Sequence, residues 1–188
     1  MNTKMDRRKK YTRMVLKDSL MQLLKEKPIS AITVKELCEL ADINRSTFYS
    51  HYGDHYDLLS KIEEEIIEDM QEKLQMFNMW TEELIPIEMI LEYIVDKKDV
   101  FLVLLKENGE NNLHKRVRNL AHGFLVNHLM RMHSIEKDKI EYLSMFIVSG
   151  SIQMIISWLD RGMDKSEKEL AGMINTFANK GLLGVESL

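Results

Sequence analysis

Arg45, Ser46 and Thr47 stand in a row, with Tyr49, His51, Tyr52 and His55 close behind. A guanidinium can take a guanine edge or a phosphate. Threonine offers a methyl to thymine or a hydroxyl to a phosphate, and a small serine permits close approach. The aromatic hydroxyls of Tyr49 and Tyr52 and the imidazole of His51 supply donors suited to a phosphate wall, contacts that position a protein on a duplex without reading its sequence. Thr33 stands where a helix is expected to begin, and free N–H groups with the helix dipole favour an anion there. Thr33, Arg45, Ser46, Thr47, Tyr49, His51 and Tyr52 are therefore the candidate DNA contacts.

Other chemistries find less support. His51 and His55 are four apart, but Gly53 between them breaks the helix that metal ligation at that spacing needs. His114 and His122 fall on one helix face about 12 Å apart by rise, too far for one ion. His122 with His128 and a carboxylate from elsewhere is the remaining alternative, but cavity lining or surface histidines are the expected reading, and neither a metal nor a cofactor is expected. Cys38 lies on an apolar helix face and reads as a small core residue. No glycine-rich phosphate loop, nucleophile elbow or paired-carboxylate motif is present, and the chain does not read as an enzyme.

The elements that must hold the contact residues can be read from turn and cap signals. Thr33 followed by Glu36 is a capping box. Val34, Leu37, Cys38 and Ala41 then form an apolar face at helical spacing. Asp42-Ile43-Asn44 breaks that helix, since Asp tolerates the left-handed conformation a tight turn requires and Asn44 suits the next N-cap. Arg45–His51 is the second helix, burying Phe48 and turning its polar residues outward. Gly53 ends it, and Asp54, three before Asp57, caps the next. Two short helices about a tight turn, the second cationic at its start, make a helix-turn-helix over about residues 32–52.

This stretch resembles the DNA-binding region of the TetR/AcrR regulators, whose pattern runs roughly I-T-V-x-x-[IL]-A-x-x-A-G-V-S-x-G-T-[LF]-Y-x-[HY]-F-x-[SN]-K-x-x-L-L. Ile32-Thr33-Val34, Leu37, Ala41, Ile43, Thr47-Phe48-Tyr49, His51-Tyr52 and Leu58-Leu59 are in register. Asp42 replaces the turn glycine, Asn44 the capping serine and Ser46 a glycine, all conservative for turning or capping. His55 replaces the lysine that opens the long helix, exchanging a permanent cation for an imidazole at one phosphate contact. The resemblance covers residues 8–62 or so. It implies an all-α, nine-helix fold, with a three-helix head joined by a long fourth helix to a body that binds an effector and dimerises.

Composition agrees with that class. The 188 residues include 2 Pro, 8 Gly and a single Cys, which leaves little room for turn-rich sheets and no intrachain disulfide; a reducing cytoplasm fits. Residues 1–61 carry 12 Lys and Arg against 8 Asp and Glu, a balance of +4, whereas residues 62–188 carry 14 against 22, a balance of −8. A basic head on an acidic body suits DNA binding by the head alone. The basic start leads into mixed sequence, unlike a secretory signal. Tyr142–Leu159 is free of charge for 18 residues, but serines, Gly150 and Gln153 interrupt it, and a buried or interface helix is expected rather than a membrane span.

Along the chain, helices are expected at Arg7–Lys25, then the two described, then Asp54–Phe77, Pro86–Lys97, Asp99–Glu107, Asn112–Arg131, Asp138–Arg161 and Ser166–Lys180. Asn108-Gly109 and Gly162 serve as terminators, and Ser166 with Glu169 is a second capping box. The fourth helix carries Leu59, Ile62, Ile66, Met70 and Phe77 as its apolar stripe, and Glu63, Glu64, Glu65, Glu68 and Asp69 as a solvated face. The domains divide at residues 1–62, with the helix-turn-helix, and 63–188.

Fourteen methionines, Met79 among them, suit packing around varied apolar shapes. A pocket for an apolar or aromatic small molecule is expected, lined by Tyr93, Phe101, His122, Phe124 and Met145. The eighth helix is apolar nearly all round, more than one small body buries alone. Gly150, Ser151, Met154, Ile155 and Trp158, with Ile174 and Phe177 of the ninth, resemble the family's dimer face, and a C2 dimer supplies the symmetry of a palindromic operator. The resemblance implies a homodimeric cytoplasmic repressor that binds double-stranded DNA and is released by a small-molecule effector, without a membrane partner. The alternative is a TetR-like co-regulator that acts through a protein partner without reading DNA.

Overall fold

The computed structural model describes residues 3–77, 86–106, 112–132 and 135–186. Nine α-helices and one 3-10 turn make up the regular structure of those residues, and none is a strand. The chain forms two compact units, Met1–Ile66 and Ile67–Leu188, divided within the fourth helix.

The first unit contains α1 (Thr3–Leu24), a 3-10 turn at Ile29–Ala31, α2 (Val34–Ala41), α3 (Arg45–Tyr49) and the start of α4 (His55–Phe77). Leu16 and Leu20 of α1, Leu37 of α2, Phe48 of α3 and Leu58 of α4 have no exposed surface, so one residue or more from every helix closes this core. Helix α1 starts four residues before the expected Arg7, carrying the basic terminal run into helix, and Pro28 follows its end.

Caps fix the short helices. The Thr33 hydroxyl accepts from the Glu36 amide at 3.2 Å. The Glu36 carboxylate, which also receives a weaker backbone hydrogen bond from Thr33, is taken chiefly by Lys27. The Lys27 hydrogen bond is the first reason the Glu36 carboxyl is held below the usual range. Asp42 closes α2 in the left-handed region at φ 52°. Asn44 Oδ1 accepts from the Thr47 amide at 2.9 Å, Asp54 Oδ1 accepts from the Asp57 amide at 2.8 Å, and Asp57 Oδ2 accepts from the Gly53 amide at 2.9 Å. Helix α3 ends at Tyr49, so His51 sits in the turn beyond it.

The acidic side of α4 is not uniformly solvated, as the sequence led one to expect. Glu63 is buried, and Asp69 is engaged by Lys97 and Tyr93. Of the expected apolar stripe, Leu59, Ile62, Ile66 and Met70 are buried, and Leu74 joins them; the Phe77 side chain lies outside the described set.

The second unit adds α5 (Ile87–Asp96), α6 (Lys98–Lys106), α7 (Asn112–Met132), α8 (Lys137–Asp160) and α9 (Glu167–Glu186). Helix α8 packs against α7 and α9, and α9 also packs on α5. Leu125 and Leu129 of α7, Ile140, Leu143, Ile147 and Val148 of α8, and Ala178 and Leu182 of α9 form one apolar cluster. Gly162 takes φ 72° and Met163 φ 61° just beyond α8, and Trp158 Nε1 donates to the Lys165 carbonyl at 2.8 Å to hold the turn. The Ser166–Glu169 box forms in both directions, at 2.9 and 3.3 Å. Helix α8 is long and apolar enough to span a membrane by length and hydropathy alone. The expected terminator Asn108-Gly109, and Met79, lie outside the described residues.

Candidate nucleic-acid interface and ligand cavity

The arrangement of α2, the Asp42 turn and α3 presents a short polar face. Arg45 and Ser46 are exposed and Thr47 half-buried. The Ser46 hydroxyl donates to Asn44 Oδ1 at 2.6 Å, tying the start of α3 to its own cap. Phe48 points the other way, into the core. Tyr49 is 57% exposed, yet its ring stands edge-on to Phe48 at 5.5 Å, so it is anchored on one side and open on the other. Thr33, at the N-cap of α2, is exposed.

Three of the sequence-derived residues sit differently from the rest. Tyr52, expected to face outward, has 6% of its surface exposed and packs its ring 5.8 Å from Phe48; burial pushes its hydroxyl above the ordinary range. His51 leans on Tyr52. Burial, and then the nearby charges of Arg13 and Lys9, hold its imidazole below the ordinary value. His55 opens α4 with its ring 4.4 Å from Tyr56, and its Nδ1 is buried with no hydrogen-bond partner among the described residues. Sequence reasoning passed over Lys9, Arg13 and Tyr56. The i, i+4 spacing of the two cations on α1 was the available signal. Cys38 is buried, and desolvation raises its thiol above the ordinary range, which suits a core residue and not a nucleophile.

Within the second unit lies a cavity of about 100 Å³. Phe101 and Phe124 line it, with Met70 and Leu74 of α4 and isoleucines of α5 and α8. Tyr93, His122 and Met145, expected beside them, are not part of its wall. Tyr93 donates instead to Asp69 at 3.0 Å, meets Phe101 edge-on at 5.9 Å and lies under Lys97 Nζ at 4.8 Å. Burial is the main reason its phenol is pushed up to about 12. His122 accepts at its carbonyl from Ser144, and Met145 is 56% exposed on α8.

A separate groove runs on the surface of α8 and α9. Gly150, Ser151, Met154, Ile174 and Phe177 line it, joined by Phe146. Ile155 and Trp158 are buried within the protomer, as is most of Ile174. Tyr142 at 74% and Phe146 at 72% are far more exposed than any of these. The Tyr142, Phe146, Gly150 row at i, i+4 spacing was the sequence signal for them.

A family profile described as a transcriptional regulator C-terminal region, TetR_C_8, matches residues 82–180. An uncharacterized HTH-type transcriptional regulator of Bacillus subtilis (strain 168), YxbF, is 39% identical over 59 residues; the match spans 31% of this chain and 14% of that relative. A TetR transcriptional regulator from Streptococcus agalactiae 2603V shares the fold at a TM-score of 0.68 and 25% identity, over 92% of this chain and 96% of that one. The fatty acid degradation regulator FadR from Bacillus halodurans reaches a TM-score of 0.71 at 12% identity, over 89% and 94% of the two chains, a likeness of fold alone. With its all-α architecture and a profile match over more than half its length, the chain belongs to the TetR family of transcriptional regulators, which are not enzymes.

Proposed function

We propose that this regulator is a homodimeric, cytoplasmic repressor that binds a palindromic operator through α3 and is released by a small molecule held in the second unit. The observation that carries the reading is the outward, cation-led face of α3, where Arg45, Ser46 and Tyr49 are exposed while Phe48 secures the helix from behind. Arg45 and Thr47 read base edges, and Thr33, Ser46, Tyr49, His51 and His55 hold phosphates. Residues 1–62 act as the DNA-binding domain and the remainder as the effector-binding and dimerisation domain. Met70 and Leu74 belong to both α4 and the cavity wall, so a bound effector would act on α4. Release requires the effector to favour the conformation that does not bind DNA, since equal affinity for both shifts nothing.

A gel shift on the DNA flanking the gene, across a salt series, tests this. Specific binding that weakens steeply with salt supports the operator-binding reading. Binding no stronger than to random DNA rejects it and favours a co-regulator acting through a protein partner.

A further inference from the structure

The wall of the second-unit cavity restricts what can enter it. Among the described residues that line it, none is charged, and Ser151 alone carries a polar side chain. The ionic pair beside the Phe101 wall is already engaged: Lys97 pairs with Asp69, and Tyr93, whose ring meets Phe101, donates to the same carboxylate. A carboxylate or ammonium entering the cavity would leave water and find no charged partner among the described lining residues, a cost that packing does not return.

Size narrows the class further. Native interiors hold few voids larger than a water molecule, and an apolar cavity of roughly 150 Å³ stays dry and takes benzene. The void here, about 100 Å³, is of that order. A ligand filling it restores the dispersion contacts that the lining side chains otherwise lack. We propose that this cavity binds a small, uncharged apolar molecule about the size of one benzene ring, and that it rejects charged analogues of the same size. The ligand class concerns the cavity itself; that its occupant is also the effector rests on the functional reading above.

Toluene and benzoate, of similar shape and opposite charge character, are the probes. In thermal unfolding of the full chain, toluene at about ten times its Kd is expected to raise Tm by about 3 °C, and benzoate at the same concentration by less than 1 °C. Ala121, which lines the cavity, provides the control. Ala121→Phe fills the space and should abolish the toluene shift while keeping the helical circular dichroism. Should that variant fail to fold, the smaller Ala121→Val should reduce the shift in a folded chain. No toluene shift in the wild type, an equal shift with benzoate, or a full shift in the filled variants would overturn the proposal. The operator complex separates the two readings. Toluene that raises Tm but leaves the complex intact supports the ligand class and rejects the effector role. Release of DNA by benzoate with toluene inert overturns the ligand class and keeps the effector role.

Discussion

Arg45 and Tyr52 are seven residues apart and play opposite parts. Arg45 is exposed and forms no ion pair among the described residues. Arg45→Ala should leave Tm within about 1–2 °C of wild type, because exposed substitutions cost at most about 0.5 kcal/mol. Operator affinity should fall by about 10- to 100-fold, the loss of one base or phosphate anchor worth about 1–3 kcal/mol; titration by fluorescence anisotropy reads it. Tyr52 reverses this. Its buried ring packs on Phe48, so Tyr52→Ala should cost about 3 kcal/mol of stability by urea unfolding. Tyr52→Phe keeps the ring and should cost less than about 1 kcal/mol. Both positions were legible as aromatic or cationic residues near a recognition helix, but their direction was not. Helix α3 is only five residues long, and once it ends at Tyr49 the chain turns, so helical spacing no longer tells which side Tyr52 faces.

At the scale of elements, local signals served best where the partner groups were sequence neighbours. Asn44, Asp54 and the Ser166–Glu169 box sit where their spacing put them. The Thr33–Glu36 box shares its carboxylate with Lys27, and no local pattern reports that partner. The polar side of α4 failed for the same reason. Asp69 reads as one more solvated acid, yet Lys97 and Tyr93 arrive from α5 and its C-cap to engage it. The Lys97 hydrogen bond, more than any other contact, holds the Asp69 carboxyl below its ordinary value of 3.8. Burial opposes the Lys97 charge, but hydrogen bonds to Asp69 and Tyr93 outweigh it and raise the Lys97 ammonium.

A depressed carboxyl stabilises the fold fully above its unfolded value, and the contribution disappears as pH falls through the folded one. Asp69→Asn should therefore lower Tm at pH 7, and the gap from wild type should close as pH drops below about 3.8. Both side chains are more than a third exposed, Lys97 at 36% and Asp69 at 43%, so solvent screening limits the loss to less than about 1 kcal/mol. A pair of thermal melts at each pH checks the convergence. A gap that stayed constant into acid would assign the effect to packing instead of charge.

For the whole molecule, the open question is what covers α8 and α9. Tyr142, Phe146 and Phe177 are more than half exposed, and the proposed homodimer would place this face against its partner copy. The apolar run of α8 was plain in the sequence, but not which of its sides one protomer would consume. Ile155 and Trp158 went to the interior, leaving the Tyr142–Phe146–Gly150 row outside. A second copy is the occupant that the proposed palindromic operator demands, and a stable interface of that kind buries roughly 1,000 Å² or more. Gly150 offers a sharp probe, because a Cβ added there meets nothing within 4 Å in the protomer. Gly150→Trp should thus keep the protomer's fold and helical content. On the proposed dimer, sedimentation velocity should nevertheless show a monomer for this variant against a dimer for the wild type. Operator affinity should fall with it, and the slope of log affinity against log salt should drop to about half, as one recognition helix and its phosphate contacts remain. A variant that still sediments as a dimer and binds with the wild-type salt slope would place the dimer contact elsewhere and leave this face for a different partner.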